Sequence, residues 1–375
     1  MKILIAPDKF KGSLTAREVC DATRSGLHAI DPSLQIETVP LADGGEGTCD
    51  LLTALDQGGK VQVSVFDPLM REIPAHYGLS ADGQTAFIEM ANASGLQLLR
   101  PEERNCMIAS SYGTGQLIRH AIDRGAQKII IGIGGSATTD GGLGMAVALG
   151  YRLLSHSNEE LKGNGENLIQ LSRIDDTGIF SPLRQTKFIV LCDVDNPLYG
   201  EHGAARVFAK QKGASEEDIE KLDEGLRNFS RVASVLSKQV HFPGAGAAGG
   251  MGAGARLFLN AQVQKGTTFI FEFLQLESKV ANADLVITGE GKIDRQTLSG
   301  KVVKGVAELA KKYDKPLIVV AGRNTLNEDQ IKAIGISQLI VLTDGETPTA
   351  QAMAEAGAIL KEKIAAWFQR NGCLF

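Results

Sequence analysis

At 375 residues the chain is longer than one hydrophobic core usually serves, so two domains are expected. A net charge of −5 argues against a sequence-independent nucleic-acid binder, and no apolar run approaches the ~20 residues of a membrane span. Five scattered cysteines (Cys20, Cys49, Cys106, Cys192, Cys373) without CxxC spacing, and six histidines without ligand spacing, speak against a disulfide framework or a zinc site.

The N-terminus, MKILIAPD, is too short an apolar stretch for a secretory leader, so a cytoplasmic location is expected. Lys2–Ala6 reads as a strand that Pro7 and Asp8 end, and Lys9–Ser13 as a loop. Thr15-Ala-Arg-Glu18 has the spacing of a capping box, and Val19, Ala22, Leu27 and Ile30 continue it at roughly helical spacing. Gln35–Pro40 is a second strand, LADGGEGT follows, and Cys49–Leu55 is helical. This β-α-β-α run predicts the start of a doubly wound parallel sheet.

The pattern changes at Val61, where Val61, Val63 and Val65 alternate with polar residues. Ile73–Leu79 and Thr85–Met90 are two more strands, joined through an Asp82-Gly83 turn. Three successive strands without helices imply antiparallel pairing, a second sheet and an inserted domain. Ser110–Arg124 is an amphipathic helix stopped by Gly125. Lys128–Ile133 is a buried strand, GGSATTDGG (134–142) its loop, and Leu143–Leu149 the next helix. Phe188–Cys192 is another strand, ending in DVDNPLYG. Ser215–Asp218 caps a helix carrying Ile219, Leu222, Leu226 and Phe229. The tract PGAGAAGGMGAGA (243–255) leads to a helix near Leu257.

From Phe269 helix and strand alternate again: helix 270–281, strand 285–288, helix 302–312, strand Leu317–Ala321, a short helix near 328–334 and strand Leu339–Thr343. Thr347-Pro348 caps a last helix with Met353, Ala356, Leu360, Ile364 and Trp367 on one face. These parallel-sheet units match the first sixty residues. The expected domains are therefore 1–62 with 266–375, and an insertion over 63–265.

Several apolar strands end in an acid: Asp8, Asp193, Glu290 and Asp344. In one parallel sheet these would share an edge, where carboxylates either cap the following helices or share a cation such as Mg²⁺. GGSATTDGG joins a strand to a helix, so its amides and the helix N-terminus could cradle an anion, and LADGGEGT has the same grammar. The alternative is an ordinary strand–helix turn using glycine for positive φ. The stretch DLVITGEGKIDRQTLSGK (284–301) is read as a strand over Leu285–Thr288 that breaks at Gly-Glu-Gly into a polar loop, a site or a solvated surface turn. GAGAAG (244–249) matches G-x-G-x-x-G, but no convincing strand precedes it, so close helix packing or backbone approach to a ligand accounts for it better than a dinucleotide site. The chain has neither a GxxxxGK[ST] loop nor a G-x-S-x-G elbow. Lys9, Lys11, Arg71, Lys292 and Arg295 interleave with the loops. Together these parts suggest phosphoryl transfer without a P-loop, by positioning and electrostatics.

The segments APDKFKGSLTA, LADGGEGT, GIGGSATTDGG, CDVDNPL, GAGAAGGMG and TGEGKIDRQTLSGK, in order over essentially the whole chain, resemble the bacterial glycerate kinase family of the first type. The resemblance implies an α/β protein of two domains, one flavodoxin-like with a parallel sheet built from both chain ends, the other an inserted mixed-sheet domain, with the site in the cleft between. It implies ATP-dependent phosphorylation of D-glycerate, commonly to 2-phospho-D-glycerate. Departures are minor: Lys9 and Arg295 stand where Ser is frequent, Lys292 where Arg is, Thr139 where Asn is and Asp195 where Thr is.

On that resemblance Asp193, Lys292, Lys11 and Asp8 are the catalytic candidates, with Asp193 as general base or metal ligand. Gly134, Gly135, Ser136, Thr138, Asp140, Gly246 and Gly249 are candidates for nucleotide phosphates. Asp43, Gly45, Asn196, Glu290 and Arg295 are candidates for the acceptor, and Asp193, Glu290 and Asp294 for Mg²⁺. The expected ligands are D-glycerate, ATP and Mg²⁺, with no nucleic acid or membrane partner. A homodimer is open to the chain, whose sequence does not set an oligomeric state. Three alternatives stay open: a kinase giving the 3-phosphate, an NAD-dependent oxidoreductase of a small hydroxy acid, which needs a strand before Gly244, and a non-catalytic metabolite sensor.

Overall fold

The computed structural model describes every residue except 43, 46, 237–238, 296, 298–301, 344–348 and 373–375. The sequence expectations at Asp43, Asp344 and Thr347-Pro348 lie outside the described residues. In chain order the elements begin β1 (Lys2–Ile5), α1 (Ala16–His28), β2 (Gln35–Thr38), α2 (Thr48–Leu55), β3 (Gly59–Phe66), β4 (Glu72–Leu79) and β5 (Thr85–Glu89). There follow α3 (Ala91–Ser94), α4 (Tyr112–Asp123), β6 (Lys128–Gly132), α5 (Leu143–Ala148), β7 (Arg152–Leu154), β8 (Arg173–Asp175) and β9 (Lys187–Leu191). Next come α6 (Ala204–Phe208), α7 (Glu216–Val235), α8 (Ala247–Leu259), β10 (Gln262–Gln264), α9 (Gly266–Phe273), α10 (Leu276–Ala281) and β11 (Leu285–Ile293). The chain ends with α11 (Val302–Lys312), β12 (Leu317–Asn324), α12 (Glu328–Ile334), β13 (Gln338–Val341), α13 (Thr349–Ala354) and α14 (Ala356–Asn371). It divides into two compact units, 1–43 with 267–375, and 44–266.

The first unit is a five-stranded parallel sheet in the order β13-β12-β11-β1-β2. Counted within the unit this is the flavodoxin-like order 2-1-3-4-5, so the expected fold is present. Continuous β-branched runs form these strands because both faces are covered. Ile3, Ile5, Leu285, Ile287, Ile318 and Val320 are wholly buried against α1 and α14, each contributing about 1.5–3 kcal/mol. The expected capping box starts α1: Thr15 Oγ1 accepts from Glu18 N, and Glu18 Oε2 accepts from Thr15 N at 2.7 Å.

Three expectations here are corrected. The Gly289-Glu290-Gly291 stretch is not a turn, because β11 continues to Ile293 paired with β12 out to Asn324. Its glycines admit close neighbours instead: a Cβ on Gly289 would lie 2.3 Å from Val320 O, and one on Gly291 3.1 Å from Phe10 Cα. The helix expected over 270–281 is two helices, broken at Gln275 with φ 51. The last helix is also two, so Met353 belongs to α13 and the Ala356–Trp367 stripe to α14.

The second unit holds a six-stranded sheet in the order β10-β9-β6-β5-β4-β3, and β7 and β8 form a separate ribbon. As expected, β3, β4 and β5 pair antiparallel, while β5, β6, β9 and β10 are parallel. The expected boundary at 62 moves to 43/44. α2 buries Cys49, Leu52 and Thr53 and packs on β3, β4 and β5, so it belongs to the mixed sheet. Contact is close enough that a Cβ on Gly78 would overlap Thr53 Oγ1. The glycine-alanine tract enters α8 through three left-handed residues, Ala248, Gly249 and Gly250. Residues 239–243 before it form no strand, so the oxidoreductase reading loses its structural requirement. Among the described residues, no helix is long and apolar enough to cross a membrane.

Candidate active site

In the second unit the candidate residues gather at the carboxyl ends of parallel strands, where α/β sheets bind ligands. Glu89 ends β5, Gly132–Gly134 ends β6 and Asp193 follows β9. The Gly44-Gly45 segment lies across these ends. A Cβ on Gly132 would be 3.7 Å from Gly44 O, and one on Gly134 3.6 Å from Gly45 Cα. Asp193 is exposed and its Oδ1 accepts from Gly266 N at 3.0 Å. Glu89, which the sequence reading did not single out, is buried and accepts from Cys49 N at 3.1 Å. Asn196 Nδ2 donates to His202 O at 2.9 Å, and the Asn196 backbone carbonyl accepts from Gly246 N at 3.0 Å.

The GGSATTDGG loop has two halves of different character. In the first, Gly134 and Gly135 are exposed, Gly135 with φ 72. Leu96 N donates to Gly135 O at 2.8 Å and Ala137 N to Ser94 O at 2.9 Å, which fixes the turn. Beneath it lies Lys212, 2 % exposed, whose Nζ donates to Ser136 Oγ at 2.8 Å and Thr138 O at 2.6 Å. Burial pushes the Lys212 ammonium down to about 8. Thr138 Oγ1 is buried with no hydrogen-bond partner among the described residues.

In the second half, Asp140 is wholly buried. Its carboxylate accepts from Ser111 N (2.8 Å), Ser111 Oγ (2.6 Å), Gly142 N (3.0 Å) and Gly144 N (3.2 Å). Burial raises its carboxyl above the usual range, and these hydrogen bonds oppose the rise. Gly142 and Gly144 open α5, so the anion at that helix N-terminus is the protein's own. The expectation that this terminus cradles a ligand is therefore corrected; the exposed first half is the part open to one. Gly246 and Gly249 have packing roles: Cβ atoms there would come 2.1 Å from Pro197 O and 2.1 Å from Thr138 O.

The expected common edge of acids is divided, with Asp193 on the mixed sheet and Asp8 and Glu290 on the parallel one. In the first unit Asp8 and Glu290 are buried and follow or lie within the neighbouring strands β1 and β11, at the point where strand order reverses. Asp8 Oδ1 accepts from Lys9 N at 2.7 Å, and Thr297 Oγ1 donates to Glu290 Oε1. Lys292 pairs with Asp294 at 3.0 Å, and Arg295 is exposed. Lys292 stands directly opposite Arg323 of β12. Like charges so placed repel unless an anion joins them. Lys11, Lys292 and Arg323 line a cavity of about 250 Å³, with Phe10, Leu342 and Met353 among its apolar walls. Among the described residues no three Asp, Glu, His or Cys side chains gather as a metal site.

Arg323 has no signal in the sequence because the apolar run stops at Ala321, whereas β12 continues to Asn324. Lys212 has none because Lys210 and Lys212 look alike in KQKG; a 3-10 turn over Lys210–Lys212, ended by Gly213 with φ 90, aims the second inward.

The chain matches the profile described as Glycerate kinase family over residues 3–370. It is 47 % identical over 349 residues to the glycerate 2-kinase of Escherichia coli K12, covering 92 % of this chain and 91 % of that one. It is 44 % identical over 363 residues to the glycerate kinase of Bacillus subtilis 168, covering 96 % and 95 %. A crystal structure of a candidate glycerate kinase 2 from Salmonella typhimurium LT2 superposes with a TM-score of 0.89 at 43 % identity, covering 100 % of both chains. The protein belongs to the glycerate kinase family, a family of phosphotransferases.

Proposed function

We propose that the protein is an ATP-dependent glycerate kinase that transfers the γ-phosphoryl group to the 2-hydroxyl of D-glycerate, giving 2-phospho-D-glycerate and ADP. The 47 % identity to a glycerate 2-kinase over nine-tenths of the chain is the observation that carries this reading.

Phosphoryl transfer asks for anion binding, charge neutralisation and a proton acceptor. In this reading Asp193 takes the proton of the attacking hydroxyl as that oxygen bonds to phosphorus and the bond to ADP breaks. Its exposure at a strand end, with one oxygen held by Gly266 N–H, suits a general base. Lys11, Lys292 and Arg323 neutralise phosphate or carboxylate charge at the cavity they line. Gly134, Gly135 and Ser136 offer amides and a hydroxyl to an anionic oxygen. Glu290 within β11 and Asp294 just after its end, linked through the Thr297 hydroxyl, are the hard-oxygen donors that would hold Mg²⁺, a cation that needs only one or two carboxylates beside water and phosphate. When bound, Mg²⁺ supplies neutralisation of phosphate charge.

A coupled assay of ADP release with D-glycerate against a panel of hydroxy acids tests the reaction, and phosphorus NMR of the product decides the 2- against the 3-phosphate. ADP release that does not depend on D-glycerate would overturn the substrate assignment.

A further inference from the structure

Lys212 is buried beneath an exposed glycine turn, and a buried charge is costly unless something answers it. None of the described carboxylates forms an ion pair with it. Asp140 favours its charge only at a distance, and the other nearby titratable group is Cys106, itself buried and next to the field of Asp218. Two of the three ammonium donors are accounted for, by Ser136 Oγ and Thr138 O.

A serine hydroxyl has one hydrogen and two lone pairs. Because Ser136 Oγ accepts from Lys212, its hydrogen points away from the ammonium and is made a stronger donor by it. Ser136 adjoins Gly134 and Gly135, and the three N–H groups of this turn donate to none of the described residues. A turn with a left-handed glycine and successive unused amides is the kind of backbone that binds anions.

We propose that Lys212 and Ser136 complete an anion site at the Gly134–Ser136 turn, with Lys212 as the buried positive charge and the Ser136 hydroxyl as the donor it polarises toward an anionic oxygen of a substrate. The choice of anions rests on the kinase reading: a nucleotide phosphate or the glycerate carboxylate. Lys212 does not touch the ligand; it is a positioning residue acting through Ser136.

The test is calorimetric binding of ADP and of D-glycerate, each separately, to the wild type and to Lys212→Met, Lys212→Arg and Ser136→Ala. Loss of one hydrogen bond to a charged group is worth about tenfold or more in affinity. The expected result is a loss of that size for one anion in both Lys212→Met and Ser136→Ala, with the double variant no worse than either. Loss confined to ADP assigns the phosphate, and loss confined to D-glycerate the carboxylate. Wild-type affinity for that anion should fall as pH rises through about 8, the loss should be absent in Lys212→Met, and Lys212→Arg should keep its affinity to higher pH. Cys106, raised from its ordinary 9.0, stays a thiol over this range. Affinities for both anions within about twofold of wild type in Ser136→Ala would overturn the proposal. So would an unchanged pH profile in Lys212→Met. If Lys212→Met does not fold, Ser136→Ala decides the matter alone, since it deletes only the hydroxyl. Binding that changes as expected without ADP release from the wild type would end the kinase reading and leave this site standing.

Discussion

A Cβ on Gly44 would stand 2.5 Å from Oδ2 of Asp193, so the absence of a side chain at Gly44 is what lets the carboxylate sit where it does. Gly44 also has φ 84, which an L side chain adopts only with strain. Gly266 closes the other side, its N–H on Oδ1 at 3.0 Å. The prediction is twofold. Asp193→Asn should lower kcat by about a hundredfold or more in a folded variant, the usual worth of a general base. Gly44→Ala should lower kcat through displacement of Asp193 with little loss of secondary structure, read by circular dichroism beside the ADP-release assay. Near-normal kcat in Asp193→Asn removes Asp193 from the catalytic role.

Asp140 gathers four hydrogen bonds from two helix N-termini while wholly buried. Replacing it with Asn puts an amide NH₂ against donors it cannot accept from. Asp140→Asn should cost about 3–5 kcal/mol, the range for breaking a buried charged network, with or without nucleotide. Urea titration of the free protein measures it. A wild-type midpoint together with weakened ADP binding would instead return Asp140 to a ligand role.

Lys292, paired with Asp294 at 3.0 Å, and Arg323 opposite it should together favour an anion at the cavity they line. Arg323→Met should leave the free protein as stable as before or more so, by up to about 1 kcal/mol. It should raise KM for ATP or D-glycerate several-fold, an effect that shrinks as ionic strength rises. Thermal melts and KM at two salt concentrations read the two halves. A KM that does not move would reduce Arg323 to a surface charge.

Lys212 makes a prediction about stability that is independent of catalysis. Its ammonium falls from 10.5 to about 8 on folding, so between those values the unfolded chain binds more protons. The sign follows: burying the charge costs stability below about 8, and the cost is relieved as pH rises toward 10.5, by about 3 kcal/mol in all. The stability of Lys212→Met relative to wild type should therefore be highest at pH 7 and drop by about that amount by pH 10.5, as followed by denaturant unfolding across the range. A difference that stays constant with pH would show that Lys212 keeps its ordinary affinity for protons.

What the sequence by itself determined was local. The β-branched runs of β1, β6, β9 and β12, the capping boxes at Thr15 and Ser215, and the antiparallel strands after Val61 all follow from neighbours within a turn or a strand. So do the glycine loops and the six motifs that carried the family resemblance. What only the tertiary structure decided depends on residues far apart in the chain. β11 continues through Gly289-Glu290-Gly291 because β12 supplies its ladder to Asn324. α2 joins the second unit because its buried face meets β3, β4 and β5. Asp140 is committed to Ser111, 29 residues away, and Lys212 to Ser136, 76 residues away. Glycine turns look alike in sequence whether they await a ligand or hold the protein's own carboxylate. The difference lies in which distant side chain fills the space below them, a consequence of packing that no local pattern contains.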